Sequence, residues 1–160
     1  MEEIRLNPEY KNAVAKVVNG SPYFSLLSME VKDLGWGTSL LEIQVAQKHL
    51  QPFGFVHGGV IGSLIDAATF WAVFPQVERE VGLTTIELKV NYLAPVREGR
   101  LLAEGKCIKK GKTLALGEAY VRNDKGSLIA HGTSTMIVVP GLHVPGYEHL
   151  PPTLLPSGAL

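Results

Sequence analysis

The stretch that decides the fold is GGVIGSLIDAATFWAVF, residues 58–74. It is too long and too rich in small residues for a strand, and Pro75 ends it, so the sequence predicts a helix. Apolar side chains lie on most of its faces, which is typical of a helix inside a protein core. Such a helix has to be covered from several sides, and the rest of the chain must supply the cover.

Short strand-like runs supply that cover. The clearest run alternates Ile86, Leu88, Val90 and Tyr92 with polar residues, as strands do. Glycine-bearing loops join the last three runs, which should therefore form an antiparallel meander. A twisted antiparallel sheet can curl around a helix, so we predict an α+β fold with a curved antiparallel sheet wrapped around one long central helix. The predicted strands are 26–32, 38–45, 84–92, 99–109, 113–123 and 127–139, with a turn at 33–37.

The two ends of the chain have a different composition from this core. Apolar residues at three- and four-residue steps predict a short N-terminal helix over about 8–18, with Asn7 as its cap. Residues 1–140 are therefore interpreted as a single domain. Five of the ten prolines lie from Pro140 onward, so 141–160 is interpreted as an extended tail that is irregular or disordered, or that packs on a partner.

Size, charge and cysteine content exclude several classes of protein. A chain of 160 residues has the size of one domain. Its 15 basic and 15 acidic residues give a net charge of zero, which argues against nucleic acid or an anionic membrane as a partner. The single cysteine, Cys107, can form no internal disulfide, and the start of the chain does not resemble a secretory signal, so we expect a cytoplasmic protein.

Asp66 is the most informative polar residue, because it lies about two turns inside the apolar helix. A carboxylate there is costly unless it is paired, hydrogen-bonded or open to a cavity. Two interpretations stay open: the carboxylate bonds a backbone amide or a serine beside a closely packed element, or it borders a cavity and does chemistry there. The residues three and four steps away, several of them small or hydroxylic, are Gly62, Ser63, Thr69 and Phe70.

Gly58 and Gly59 begin the helix. The first amides of a helix have no intrahelical acceptor, and glycine lets a ligand approach the backbone closely, so both residues are candidates for substrate contact. A carbonyl oxygen bound to the Gly58 amide would be stabilised as it becomes an oxyanion. We therefore expect Gly58 and Asp66 to hold one reacting carbonyl from two sides, although glycine-rich helix starts are also common without a function.

His57 and two hairpin lysines each allow two interpretations. His57 could act as a base, but we favour a structural role in which its ring fixes the turn. No second histidine or carboxylate completes a set of ligands, so we predict no metal site and no cofactor. Lys110 and Lys112 lie at a predicted hairpin, where they are either solvated charges or contacts for a phosphorylated part of a ligand.

Three stretches carry a resemblance to a known family. They are HLQPFGFVHGGVIGSLIDAA (49–68), TTIELKVNYLAPV (84–96) and KKGKTLALGEAYVRNDKGSLIAHGTSTMIV (109–138). Together they resemble the hotdog-fold acyl-CoA thioesterases of the phenylacetic-acid-degradation (PaaI) type, over about Pro22 to Val139. The resemblance implies the hotdog fold, in which the helix is the sausage and the sheet is the bun.

The resemblance also implies a role for each site residue. Asp66 matches the catalytic carboxylate, which acts either as nucleophile or as base for the attacking water. Gly58 matches the amide that polarises the thioester carbonyl, and His57 matches the histidine of the motif. Thr85 stands where relatives place a serine or threonine that reaches the site from the second subunit. Gln51 is a departure, because many members carry the shorter asparagine there, and an added methylene can misplace the amide.

The implied activity is hydrolysis of aliphatic or aryl acyl-CoA thioesters to free acid and CoA. The implied assembly is a homodimer or a dimer of dimers, with sites between two subunits. The departure at Gln51 keeps a second hypothesis, a non-catalytic acyl-CoA binder or sensor. A hydratase or dehydratase is disfavoured, because Trp71 stands where that chemistry needs a histidine. A purely structural interaction domain would show no affinity for CoA esters.

Overall fold

The computed structural model describes residues 4–142, 144 and 146–155. One six-stranded antiparallel sheet has the strand order β1-β2-β4-β5-β6-β3. Helix α3 packs against all six strands, so the sheet curls around it. The predicted sheet around one long central helix is confirmed. The helices are α1 (Pro8–Asn19), α2 (Pro22–Leu27) and α3 (Gly58–Val73), and the strands are β1 (Met29–Gly35), β2 (Thr38–Gln44), β3 (Val81–Tyr92), β4 (Arg100–Lys110), β5 (Leu114–Asn123) and β6 (Leu128–Pro140).

Glycines of three neighbouring strands form the floor on which α3 lies. A methyl group on Gly105 of β4 would overlap the carbonyl oxygen of Ala68. A methyl group on Gly117 of β5 would lie 3.0 Å from Cβ of Thr69, and one on Gly132 of β6 would lie 2.8 Å from the Ile65 side chain of α3 and 2.6 Å from the Lys89 carbonyl oxygen of β3. The backbone of α3 therefore approaches the sheet more closely than any larger side chain would allow.

One face of α3 points away from this floor. Ile65 and Ala68 are fully buried against the sheet, whereas Ser63, Asp66 and Phe70 are only half-buried. The expectation of a helix buried on most faces therefore holds except along this stripe, which includes the carboxylate.

The length and composition of α3 also fit a membrane-spanning helix, if the turn that follows it is included as far as Gln76. However, 67% of the apolar window over Gly58–Gln76 is buried inside the protein. Burial within its own sheet accounts for the apolar character of this helix, as in other core helices.

The predicted first strand is wrong at its start. Residues 26 and 27 belong to α2, and β1 begins only at Met29. Pro22 is the first residue of α2, a favoured position for proline, and Ser28 ends the helix in the left-handed conformation with φ of 48°. The alternation of Leu27, Met29 and Val31 continues across this junction, which is why it predicted a strand.

The predicted turn at 33–37 is too long, because β1 continues to Gly35. A bulge between Val31 and Asp33 shifts the register of β1 against β2. The extra residue changes which side chains face the core, so Leu34 is buried and Asp33 is exposed. The strands are joined by Trp36 and Gly37, the latter with φ of 89°.

The phase predicted for β3 is also wrong in its first half. A bulge between Thr85 and Glu87 leaves Ile86 without a partner on β6. Thr85 pairs with the buried Met136, so its side chain faces α3, as that of Leu88 does. The predicted alternation places Thr85 and Leu88 on opposite faces of the strand. This shift of one residue brings the Thr85 hydroxyl to the central helix.

The two edges of the sheet differ. At the β1 edge, the side chain of Asn19 accepts a hydrogen bond from the Val31 amide at 2.7 Å and donates one to the Val31 carbonyl at 3.3 Å. At the β3 edge, the inward-facing Leu88 and Tyr92 are 40% and 56% exposed. The β1 edge is therefore capped, whereas no strand of the described residues pairs with β3 at the other edge.

The N-terminal helix runs from Pro8 to Asn19, and Asn7 caps it. The described part of the tail folds back onto this end of the molecule, where the Asn7 amide donates to the Thr153 carbonyl at 2.9 Å. Arg79 donates to the Leu150 carbonyl at 2.9 Å. Residues 143, 145 and 156–160 of the predicted tail, and residues 1–3 of the predicted domain, lie outside the described residues.

The glycine floor can be tested by Gly105→Ala. We expect this change to lower the free energy of unfolding by about 1–3 kcal/mol or more, because the methyl group must displace the backbone of α3. Gly20→Ala is the matched control. Gly20 has a right-handed backbone with φ of −82°, and an added Cβ would lie at an ordinary 3.4 Å from the Lys16 carbonyl oxygen. Urea unfolding of both variants measures the difference, and equal stabilities would contradict the close approach.

Candidate active site

His57 forms the entry to α3. It has an extended backbone, and its Nδ1 accepts a hydrogen bond from the Gly59 amide at 2.8 Å. The ring is thus the N-cap of the helix, the structural role that the sequence favours. Gly58 is the first helical residue, so its amide has no acceptor within the helix and lies at the positive end of the helix dipole.

A buried histidine holds the loop that leads to this entry. Nδ1 of His49 accepts from the Ala46 amide at 2.9 Å, so its Nε2 carries the proton and donates to the Leu27 carbonyl at 2.8 Å. The His57 amide donates to the His49 carbonyl at 2.8 Å. Burial lowers the pKa of His49 below its ordinary value. His49 is therefore a core histidine.

A first cavity of about 370 Å³ opens at the start of α3 and is lined by Gln51, Gly58 and Tyr92. The Tyr92 hydroxyl donates to the Gly58 carbonyl at 3.0 Å, and its ring would contact any side chain placed on Gly58. The side-chain oxygen of Gln51 accepts from the Phe53 amide. The other lining residues are Phe55, Val56, Ile61, Leu93, Ala94, Pro95 and Val96.

A cation stands beside this first cavity. The guanidinium of Arg97 lies 3.9 Å from the centre of the Phe55 ring, a cation–π arrangement. Phe55 lines the cavity and Arg97 is exposed, so a positive charge lies against one residue of the cavity lining.

Asp66 borders a second cavity, of about 330 Å³. Its Oδ1 accepts a hydrogen bond from the Thr85 hydroxyl at 2.8 Å. This contact lies within one chain, whereas the resemblance implies that Thr85 reaches the site from the second subunit. The β3 bulge explains the difference, because it turns Thr85 toward the α3 of its own chain.

Tyr23 and Ser63 lie at the same second cavity. Their hydroxyl oxygens are 2.6 Å apart, and Ser63 donates to the Gly59 carbonyl at 2.8 Å. Because that bond uses the Ser63 proton, Tyr23 is the donor to Ser63. The remaining lining of the second cavity is Phe24, Met29, Ala67, Phe70 and Trp71, besides Asp66.

The structure does not bring Gly58 and Asp66 of one chain to the same carbonyl. Eight residues of helix separate them, which corresponds to about 12 Å along the axis. They also line different cavities. The expectation that this pair holds one reacting carbonyl from two sides is therefore wrong for residues of a single chain.

The two hairpin lysines, Lys110 and Lys112, lie away from the Asp66–Thr85 pair. Lys110 pairs with Ala115, which pairs with Met136, which pairs with Thr85. Three strand spacings put the Lys110 and Thr85 backbones about 14 Å apart. Lys112 is exposed in the turn between β4 and β5. The structure does not place either lysine at the site of its own chain.

Metal ligands do not cluster in the described part of the chain, where no group of three or more histidine, cysteine, aspartate or glutamate side chains could hold an ion.

Sequence reasoning missed three residues at these cavities: Tyr23, Tyr92 and Arg97. Tyr92 is 34 residues from Gly58 and Tyr23 is 40 residues from Ser63, so no local pattern connects them. The available signal for Tyr92 was its place as the last inward residue of β3.

Comparison with known proteins places this geometry in a family. The model of the thioesterase superfamily matches residues 53–130. A protein of Saccharolobus solfataricus that is named as an esterase is 30% identical to this chain over 125 residues. The match covers 78% of this chain and 83% of that protein. Mouse acyl-coenzyme A thioesterase 13 is 29% identical over 98 residues, 60% of this chain and 69% of that protein.

A solved structure shares the fold. A thioesterase of Haemophilus influenzae superimposes with a TM-score of 0.76 at 22% identity, covering 91% of this chain and 99% of that one. The sheet wrapped around α3 is thus the hotdog fold, and the chain belongs to the thioesterase superfamily.

Proposed function

We propose that this protein hydrolyses acyl-CoA thioesters to the free acid and CoA. The observation that carries the proposal is Asp66: a half-buried carboxylate that borders a cavity and is oriented by the Thr85 hydroxyl at 2.8 Å. A relative, mouse acyl-coenzyme A thioesterase 13, supports CoA esters as the substrate class through its name.

Asp66 and Gly58 divide the chemistry between them. The Thr85 hydroxyl fixes one oxygen of Asp66, and the carboxylate either attacks the thioester carbon or removes a proton from the attacking water. The carbonyl electron pair moves onto oxygen, where the Gly58 amide stabilises the charge. When that pair returns, the carbon–sulfur bond breaks, and the departing CoA sulfur takes up a proton. If Asp66 attacks, water then hydrolyses the acyl–Asp66 anhydride, which releases the acid and restores the carboxylate. If Asp66 is the base, the attacking water itself becomes the hydroxyl of the acid. Either route consumes one water and yields one acid and one thiol.

The complete site requires two copies of the chain. Gly58 and Asp66 of one chain are about 12 Å apart along the helix, so one carbonyl can meet both groups only if they come from different chains. The open β3 edge, with Leu88 and Tyr92 exposed on its inward face, supports docking of a second copy there. We include a homodimer, or a dimer of dimers, in the proposal.

The polar arm of CoA carries phosphates, which favour cations. Arg97 stands beside the cavity that the Gly58 amide borders, so it is our first candidate for a phosphate contact. Lys110 and Lys112 remain candidates from a neighbouring copy. A cytoplasmic location is also part of the proposal, supported by the single cysteine, which leaves no internal disulfide to form.

One observation favours a second function, an acyl-CoA binder without hydrolysis. The oxygen of Gln51 accepts from the Phe53 amide, which ties this side chain to its own loop rather than to Asp66. Release of free thiol from CoA esters separates the two functions: a binder gives saturable affinity and no thiol.

Asp66→Asn tests the carboxylate. The amide oxygen can still accept from Thr85, so the fold should persist, while kcat for thiol release falls about 10²–10⁴-fold. Asp124→Asn, at an exposed position in the turn after β5, should leave kcat unchanged. Full activity of Asp66→Asn on every ester that the wild type cleaves would remove Asp66 from the chemistry.

Gly58→Pro tests the amide. Proline is accepted at the first helical position, and the extended backbone of His57 suits a following proline. We expect kcat to fall about 10²–10³-fold through loss of the one donor. Gly58→Ala is the control, because it places the same Cβ against Tyr92 but keeps the N–H. Equal losses in both variants would assign the effect to crowding instead.

A mixture of Asp66→Asn and Gly58→Pro chains tests whether the site is shared. In a mixed dimer, the Gly58 of one chain and the Asp66 of the other are both intact. Equal mixing after unfolding and refolding should restore about a quarter of wild-type activity, since half the dimers are mixed and each has one intact site. If the two groups act within one chain, the mixture stays as inactive as its parents.

A further inference from the structure

The cavity beside Asp66 has two unlike sides. We call the side formed by Phe70 and Trp71 of α3 the inner side, and the side formed by the exposed Tyr23 of α2 the outer side. Most of this lining is aromatic or aliphatic, and the polar atoms are the Asp66 carboxylate and a pair of hydroxyls. Such a lining suits a hydrocarbon group rather than the phosphorylated arm of CoA.

The inner side is supported by further aromatic rings that do not line the cavity. The Trp71 ring lies 5.1 Å from that of Phe70 and 5.2 Å from that of Phe74. Tyr147 of the C-terminal segment packs edge-on against Phe74 at 5.4 Å. Only 8% of Trp71 is exposed. Because four rings support one another and the tail covers them, this side of the cavity is closed to a longer substituent.

The outer side is held more weakly. Tyr23 is 53% exposed and lies on the six-residue helix α2. Its hydroxyl donates to Ser63 at 2.6 Å, and this hydrogen bond joins the side chain to α3 between two residues of the cavity lining. The outer side is therefore the one that a substrate can displace.

We propose that Tyr23 is a specificity-determining residue, which restricts the acyl group to one compact enough to end inside the cavity beside Asp66. The inference rests on the proposed hydrolysis of acyl-CoA thioesters. The cavity volume of about 330 Å³ is near the lower end of the range of small-molecule sites. A long acyl chain has to push the Tyr23 ring outward and break its bond to Ser63, because the inner side does not yield.

The test compares Tyr23→Ala with the wild type on a series of straight-chain acyl-CoA esters from butanoyl to hexadecanoyl. We expect the wild type to lose at least about tenfold in kcat/KM between the short and the long esters. Tyr23→Ala should remove most of that loss, mainly by lowering KM for the long esters. Tyr23→Phe and Ser63→Ala keep the ring but lose the hydrogen bond, and should shift the profile in the same direction by less.

Leu26→Ala is the matched control. Leu26 lies on the same short helix and is 64% exposed, but it is not part of the cavity lining, so its chain-length profile should match that of the wild type. If Tyr23→Ala does not fold, the other two substitutions carry the same test. If kcat/KM depends on acyl-chain length in the same way in the wild type and in all the Tyr23 and Ser63 variants, the proposal is overturned.

Binding of non-hydrolysable S-alkyl-CoA thioethers, measured by calorimetry, distinguishes a failure of the proposed function from a failure of the proposed role of Tyr23. A wild type that cleaves no ester and binds no thioether contradicts the proposed function itself. If the wild type cleaves esters and Tyr23→Ala matches it in hydrolysis and in thioether affinity at every chain length, only the role of Tyr23 is contradicted. Tighter binding of long thioethers by Tyr23→Ala supports that role independently of turnover.

Discussion

The close approach of α3 to the sheet is the constraint on which the rest of the structure depends. Gly105 and Gly117 leave no side chain between the strands and the helix backbone. The buried Ser39 hydroxyl donates to the Ala68 carbonyl at 2.7 Å and so ties the helix to the same floor. With Ala68 on the floor, helical geometry turns Asp66 and Ser63 away from it. The position of the carboxylate thus follows from how the helix rests on glycine.

A single inserted residue then completes the surroundings of Asp66. Without the bulge in β3, strand alternation would direct Thr85 to the outer surface, where it could not bond the carboxylate. The result is a carboxylate with one oxygen fixed by its own chain and a cavity at its side. For the hydrolysis that we propose, a half-buried acid that is oriented before substrate binds would lose little in reorganisation.

The extent of agreement between sequence and structure has physical reasons. The central helix and the meander could be predicted because their periodicity runs over many residues. Helix α2 could not, because its six residues make fewer than two turns and so show no helical repeat. The apolar alternation of the next strand also begins within it. The motif of His57, Gly58 and Asp66 identified candidate groups, but not that Gly58 and Asp66 border different cavities. Tyr23 depends on chain folding over 40 residues, which no local pattern encodes.

The cap on β1 has a consequence for how far the protein can assemble. Asn19 occupies the outward amide and carbonyl of Val31, and α1 lies beside that strand. A sheet that joins another through β3 therefore has capped strands at both new margins. In such a pair, the Asn19 caps and the α1 helices at both margins would oppose the addition of further strands.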